Sequence, residues 1–234
     1  MKQYLTEFIG TFFWVLVLGL SISAEYPHLT AIALGATVMG LIYMGQPISG
    51  AHYNPAITLA VVVRGGFAWK EAGFYVLAQL LAAIGAVALV QILVQDDSFS
   101  YILGQAGSAS TIQALLVETF LTFLLALVYL NVCTGKAAIG NSYFGLAVGG
   151  TLAGIFYVGH HISGGAYNPA LGVAPNVLAA NWSPIWIYVV GPFLGASLAG
   201  FVYRVQHNVP LQKAQTDIPE IVEEEIVVEP DNLA

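Results

Sequence analysis

Charged residues are scarce in this sequence: only 8% of its 234 residues are Asp, Glu, Lys or Arg. Soluble globular domains carry about 25% charged residues. Hydrophobic residues make up 58% of the chain, and the mean hydropathy is +0.78. These values exclude an ordinary soluble domain and predict an integral membrane protein that crosses the bilayer several times.

Cysteine is nearly absent as well, since Cys133 is the only one in the chain. A lone cysteine excludes an intramolecular disulfide and argues against a thiolate metal site. The sequence also shows no nucleophile constellation, no metal-ligand cluster and no nucleotide-binding loop. We therefore do not expect an enzyme, and we expect no cofactor, no bound metal and no nucleic-acid partner.

The hydrophobic sequence divides into stretches that are long enough to cross a bilayer, which takes about 20 mostly apolar residues. Six stretches qualify: about 4–24, 29–47, 70–95, 111–132, 143–161 and 184–205. Two further segments, about 54–64 and 168–179, are too short to span and follow the second and the fifth stretch. Each half of the chain thus has three spans and one short helix, so the second half must enter the membrane from the opposite side. This predicts an all-α inverted 3+3 repeat.

An octapeptide occurs twice, at the start of each short segment. Residues 49–56 read Ser-Gly-Ala-His-Tyr-Asn-Pro-Ala and residues 163–170 read Ser-Gly-Gly-Ala-Tyr-Asn-Pro-Ala, identical at six of eight positions. Asn is a strong helix N-cap, and Pro is favoured at the first helical position. Each copy therefore predicts a loop that ends at Asn and a half-helix that begins at Pro within the membrane.

These two octapeptides, at this spacing in a hydrophobic chain, resemble the aquaporin (major intrinsic protein) family over roughly residues 4–205. The resemblance implies a homotetramer with a pore in each subunit and passive flux of water or small uncharged solutes. It assigns the pore motifs to Asn54, Pro55, Ala56, Asn168, Pro169 and Ala170. An N-cap asparagine uses its side-chain oxygen for the helix, which leaves its amide free to donate to a permeating oxygen.

Polar residues within the spans are expected to support these loops. A charge in the middle of a spanning helix costs about 2.5–3.5 kcal/mol, so Glu7 and Glu118 must face inward and be paired. The resemblance implies that each accepts hydrogen bonds from loop N–H groups behind a half-helix. A proton relay and pairing elsewhere in the bundle are the alternatives. His52 is either a ring donor to the vestibule or a loop histidine bonded to backbone. His160 and His161 point in different directions on a helix, and one of them is expected to face the outer vestibule.

The family's selectivity filter maps by counting from the two asparagines onto Leu34, Phe156, Gly165 and Leu171. In most relatives the position of Leu171 is an arginine, and this chain has none of the usual polar groups at the four positions. The solute is therefore open, between water, glycerol and ammonia, and ion exclusion is expected to be weakened. The alternative function is a poorly conducting membrane scaffold.

The basic residues indicate the topology. With the N-terminus inside, all six fall in cytoplasmic segments or at cytoplasmic helix ends, as the positive-inside rule requires: Lys2, Arg64, Lys70, Lys136, Arg204 and Lys213. We expect a cell-membrane protein with both termini cytoplasmic. Its channel domain covers residues 1–205, with repeats at about 4–95 and 111–205. Residues 206–234 hold seven of the thirteen acidic residues, and we expect them to form a disordered acidic tail, either solvated or bound to a partner or gate.

Overall fold

The computed structural model describes residues 1–24, 29–94, 109–135 and 139–209. Eight helices form in this part of the chain: α1 (Lys2–Ile22), α2 (Thr30–Ser49), α3 (Pro55–Arg64), α4 (Trp69–Leu93), α5 (Thr111–Cys133), α6 (Phe144–Ser163), α7 (Pro169–Leu178) and α8 (Ile185–His207). The predicted order of six long and two short helices is confirmed, with boundaries that differ by no more than two residues. The acidic segment from residue 210 onward and residues 95–108 lie outside the described residues.

Five of the six long helices are long and apolar enough to cross a membrane. The remaining one, α6, has 20 residues, but five glycines and the pair His160 and His161 lower its hydropathy. It packs against α2 and α5 inside the bundle. The two histidines at the end of α6 therefore distinguish the second half from the first, because the equivalent end of α2 holds no charged or histidine side chain.

The two halves interlock through their short helices. Half-helix α3 packs against α8 of the second half, and half-helix α7 packs against α4 of the first half. Helices α2 and α6, which occupy equivalent positions in the two halves, pack against each other. Each half-helix thus packs against spans of both halves, so the two halves share the packing of their short helices.

The start of α1 and the end of α8 lie at the same end of the bundle. The Tyr4 hydroxyl and the Glu71 carboxylate bond α1 to the start of α4. The Arg204 guanidinium donates to the Val63 carbonyl at 3.1 Å and ties α8 to the end of α3. Because α3 leads directly into α4, the start of α1 and the end of α8 share one surface.

Candidate functional site

Two asparagine caps meet at the centre of the bundle. Asn54 precedes Pro55 and caps α3, where its Oδ1 accepts a hydrogen bond from the Ala56 N–H at 2.8 Å. Asn168 caps α7 in the same way, with its Oδ1 3.0 Å from the Ala170 N. Proline at the first helical position needs no hydrogen-bond acceptor, so the local sequence alone explains both helix starts.

Each asparagine also bonds to the opposite loop. The Asn54 Nδ2 donates to the Tyr167 carbonyl at 2.8 Å, and the Asn168 Nδ2 donates to the Tyr53 carbonyl at 3.0 Å. A carboxamide nitrogen carries two hydrogens, so each cross-loop bond leaves one N–H for a further acceptor. Both asparagines are fully buried. The sequence identified these donors, but not the exchange of bonds between the two loops.

Two buried glutamates hold the loops from behind. Glu118 accepts hydrogen bonds from the Ser163 hydroxyl at 2.7 Å, the Ala166 N–H at 3.0 Å and the Tyr167 N–H at 2.7 Å. Both oxygens of the carboxylate are therefore occupied by the loop that leads to Asn168. The carboxylate lies on α5, so it fixes the loop of the second half against a long span.

Glu7 repeats this arrangement in the first half and adds one donor. It accepts from the Ser49 hydroxyl at 2.7 Å and from the N–H groups of His52 and Tyr53 at 2.9 and 2.6 Å. The Gln79 Nε2 donates to the same carboxylate at 2.8 Å. The equivalent of Gln79 in the second half, 113 residues further on, is Pro192, so Glu118 has no such partner.

Tyrosines bond both loops to the surrounding helices, a role that the sequence reasoning missed. The Tyr53 and Tyr167 hydroxyls donate to the carbonyls of Leu41 and Ile155, at 3.0 and 3.2 Å. Both tyrosines have positive φ, 51° and 48°, a conformation uncommon for a large side chain. The bonds of their N–H groups, hydroxyls and carbonyls hold them there.

A second tyrosine pair continues the same pattern. The Tyr75 hydroxyl donates to the Ser49 carbonyl, and the Tyr188 hydroxyl donates to the Ser163 carbonyl. These two tyrosines recur at an offset of 113 residues, and that repeat was the sequence signal that could have identified them.

His52 lies in a buried polar cluster near the first asparagine. Its Nδ1 lies 3.1 Å from the Thr58 hydroxyl, which also accepts from the Gln79 Nε2 at 3.1 Å. The imidazole is 6% exposed and packs against the rings of Phe67, Tyr75 and Tyr129. Its bond is thus to a side chain, not to the backbone that the sequence analysis considered.

The four filter positions lie on three helices and in the second loop. Leu34 is on α2, Phe156 is on α6, Gly165 is in the loop, and Leu171 is in the first turn of α7. All four are buried. A Cβ atom on Gly165 would lie 3.1 Å from Phe156 Cδ2, so the loop and α6 meet at this point. No charged side chain is among the four.

Backbone carbonyls supply polar atoms beside these apolar side chains. The Gly164, Gly165 and Ala166 carbonyls receive no hydrogen bond from any other described residue. Residues 1–24, 29–94, 109–135 and 139–209 bring together no group of three or more His, Cys, Asp or Glu residues that could hold a metal ion. The polar groups of the site are therefore amide donors and carbonyl acceptors.

Comparison with known proteins agrees with this geometry. Residues 1–203 match the family described as Major intrinsic protein. Over 214 residues, the chain is 34% identical to aquaporin NIP1-4 of Oryza sativa subsp. japonica, covering 88% of this chain and 77% of that protein. It is 35% identical over 213 residues to glycerol uptake facilitator protein-like 6 of Lactiplantibacillus plantarum, covering 88% and 98%.

The fold has a solved counterpart. The X-ray structure of the aquaglyceroporin from Plasmodium falciparum superimposes with a TM-score of 0.74 at 22% identity, covering 86% of this chain and 94% of that one. The helices and the paired caps define a membrane channel of the aquaporin fold. The chain belongs to the major intrinsic protein family.

Proposed function

We propose that water and small uncharged solutes cross the membrane passively between the two half-helices, past Asn54 and Asn168, through a pore within each subunit. The observation that carries the proposal is the pair of cross-loop bonds, because they orient one remaining N–H of each carboxamide at the same level of the bundle. A permeating oxygen can accept from both donors there, as it would from two neighbouring waters.

The same arrangement opposes ions. The N-terminus of a helix carries a partial positive charge of roughly half a unit, and two such ends face each other at Asn54 and Asn168. Water held by two donors presents its lone pairs to them, which interrupts a continuous proton wire. A cation approaching this level meets two positive helix ends. The nearby carboxylates of Glu7 and Glu118 are already bonded to the loops.

The four filter positions indicate which kinds of solute are favoured. Leu34, Phe156 and Leu171 offer no hydrogen bonds, so a solute at this level can bond only to the carbonyls of the loop before Asn168. That penalises strongly hydrated solutes and favours less polar ones, such as glycerol and ammonia, relative to water. The names of the two relatives, an aquaporin and a glycerol uptake facilitator, support this range of solutes.

The assembly and placement are part of the proposal. We expect a homotetramer in the cell membrane, with the end that carries Lys2, Arg64 and Arg204 facing the cytoplasm. We expect residues 1–205 to form the channel domain, and residues 206–234 to form an acidic cytoplasmic tail that adds little to its stability.

Water flux in proteoliposomes, measured by stopped-flow light scattering, tests the function. Asn168→Asp keeps the cap oxygen for the Ala170 N–H but removes the amide donor and adds negative charge. We expect it to reduce cation exclusion without abolishing folding. The matched control is Asn208→Asp, the same change at the exposed end of α8.

Three outcomes are informative. Water or glycerol flux well above that of empty liposomes, with cation leak raised only in Asn168→Asp, supports the proposal. Flux no higher than that of empty liposomes for every solute favours the poorly conducting scaffold instead. Equal cation leak in both variants would show that Asn168 does not face the permeation route.

A further inference from the structure

A histidine lies directly beside the apolar filter positions. His160 is in the last turn of α6, and its ring stacks in parallel on the Phe156 ring, with centroids 5.1 Å apart and planes 5° apart. The His160 Nδ1 lies 2.8 Å from the Phe156 carbonyl. Stacking and hydrogen bonding together hold this imidazole on the face of α6 that carries Phe156.

The loop that leads to Asn168 contacts the same histidine. A Cβ atom on Gly165 would lie 3.0 Å from His160 Cβ and 3.1 Å from Phe156 Cδ2. Gly165 has a φ of +74°, so glycine is needed here both for the backbone conformation and for the space. His160, Phe156 and Gly165 therefore form one contact cluster on the inner side of α6.

Exposure increases outward along this cluster. Asn168 is fully buried and Phe156 is 4% exposed, whereas His160 is exposed. This order runs from the centre of the bundle to its surface at the end where α6 finishes. We call this part of the surface, formed by the end of α6 and the loop 163–168, the α6 mouth.

The bonding of His160 determines what its ring offers. A carbonyl can only accept, so the Nδ1 that bonds to Phe156 carries a hydrogen. The Nε2 of the neutral ring is then an acceptor, and in the protonated ring it becomes a donor on a positive charge. No described residue bonds to this Nε2.

We propose that His160 is the specificity-determining polar group of the α6 mouth, binding uncharged solutes through Nε2 when neutral and repelling cations when protonated. This inference rests on the proposed function, because it assumes that solutes pass Asn168 and leave by this mouth. His160 gives the mouth a polar side chain one helical turn outward of Phe156, where the four filter positions provide none.

Titratable groups occur on every described element packed around the ring. The neighbouring spans α2 and α5 carry Tyr43, Glu118, Tyr129 and Cys133, the loop carries Tyr167, and α6 itself carries Tyr157 and His161. Tyr167, Tyr188 and Glu118 are bonded within the loop framework. The His161 ring makes an edge-to-face contact with that of His160, with centroids 5.9 Å apart at 85°, and is not part of the parallel stack on Phe156.

The variants His160→Leu and His160→Gln separate polarity from charge, and His161→Leu is the matched control on the neighbouring residue. Proteoliposome flux of water, glycerol, ammonia and monovalent cations is measured with the same pH on both sides, at about pH 5 and at about pH 8. Equal pH on both sides removes any dependence on the orientation of the inserted protein.

We expect His160→Leu to raise cation leak at the lower pH by roughly threefold to tenfold, and to lower glycerol or water flux at the higher pH by a similar factor, the size of one net hydrogen bond. His160→Gln should keep the neutral flux but lose the pH dependence. His161→Leu should behave as the natural protein.

The inference is overturned if His160→Leu matches the natural protein at both pH values, or if His161→Leu changes flux by the same amount. If the natural protein conducts no solute at all, the proposed function fails and this inference fails with it. If the natural protein conducts solutes and substitution of His160 leaves the flux unchanged, this inference alone fails and the proposed function stands.

Discussion

Gly35 of α2 and Gly149 of α6 face each other with their backbones in contact. A Cβ atom on Gly35 would lie 2.6 Å from the Gly149 carbonyl oxygen, and one on Gly149 would lie 2.4 Å from the Gly35 carbonyl oxygen. The two glycines are 114 residues apart in sequence and occupy equivalent positions in the two halves. This contact sets how closely Leu34 and Phe156 approach, because each lies on one of these two helices.

Gly149→Ala tests that contact. The new methyl group would meet backbone atoms that cannot rotate away, and overpacking of this kind costs about 1–3 kcal/mol. We expect a lower melting temperature and altered solute flux. Gly150→Ala is the control, since nothing lies within 4 Å of a Cβ atom there. Equal melting temperatures for the two variants would contradict the close packing of α2 and α6.

Glu118→Leu should destabilise the second loop. Two buried loop N–H groups and the Ser163 hydroxyl would lose their acceptor, and each unmade buried bond costs on the order of 1–3 kcal/mol. Glu118→Gln keeps one acceptor oxygen and should be milder. Thermal melts of the three proteins in detergent give the order of stability. Identical melts would reject the role of the carboxylate as the anchor of this loop.

Gln79→Leu should have a smaller effect than a change at either glutamate. It removes one donor to Glu7 and one to Thr58, but the Ser49 hydroxyl and two loop N–H groups remain on the carboxylate. We expect a loss of about 1 kcal/mol. The control is Gln91→Leu, at an exposed position on the same helix. If Gln79→Leu lost as much stability as Glu118→Leu, one serine hydroxyl and two loop N–H groups would not be enough to hold Glu7, although the equivalent three donors hold Glu118.

Leu171→Arg should tighten cation exclusion if its guanidinium reaches the lumen, because it adds fixed positive charge and donors at the filter. Flux of water, glycerol, ammonia and monovalent cations is compared with that of the natural protein. The control is Leu178→Arg, at the exposed far end of the same half-helix. If the natural protein passes water freely and blocks cations fully, and Leu171→Arg changes no flux, then Leu171 does not line the filter.

The elements of this fold could be predicted from local sequence. Asn168 followed by Pro169 combines a favoured N-cap with a favoured first helical residue, and a long apolar stretch is typical of a membrane span. The duplication of the octapeptide, together with three spans in each half, also required the inverted arrangement. In the folded chain, α3 packs against α8 and α7 packs against α4, so each half-helix contacts a span of the other half.

The contacts of the candidate site could not be predicted in the same way. Asn54 donates to a carbonyl 113 residues away, and no local pattern marks a backbone carbonyl as an acceptor. Gln79 reads as an ordinary polar residue of α4 until the packing of α1 on α4 places it beside Glu7. Tyr75 and Tyr188 stand out in sequence only as a repeat, without a partner.

The two histidines at the end of α6 illustrate most clearly what the sequence determines and what depends on the tertiary structure. The sequence by itself determined that His160 and His161 point in different directions, because neighbouring helical residues are rotated by roughly 100°. It did not determine which of them faces the pore, since that depends on the rotation of α6 about its axis. The close contact of Gly149 with Gly35 and the fit of Gly165 against α6 set that rotation. His160 stacks on Phe156 because the two lie four residues apart on one helix, but only the tertiary packing places that pair against Gly165 of the loop.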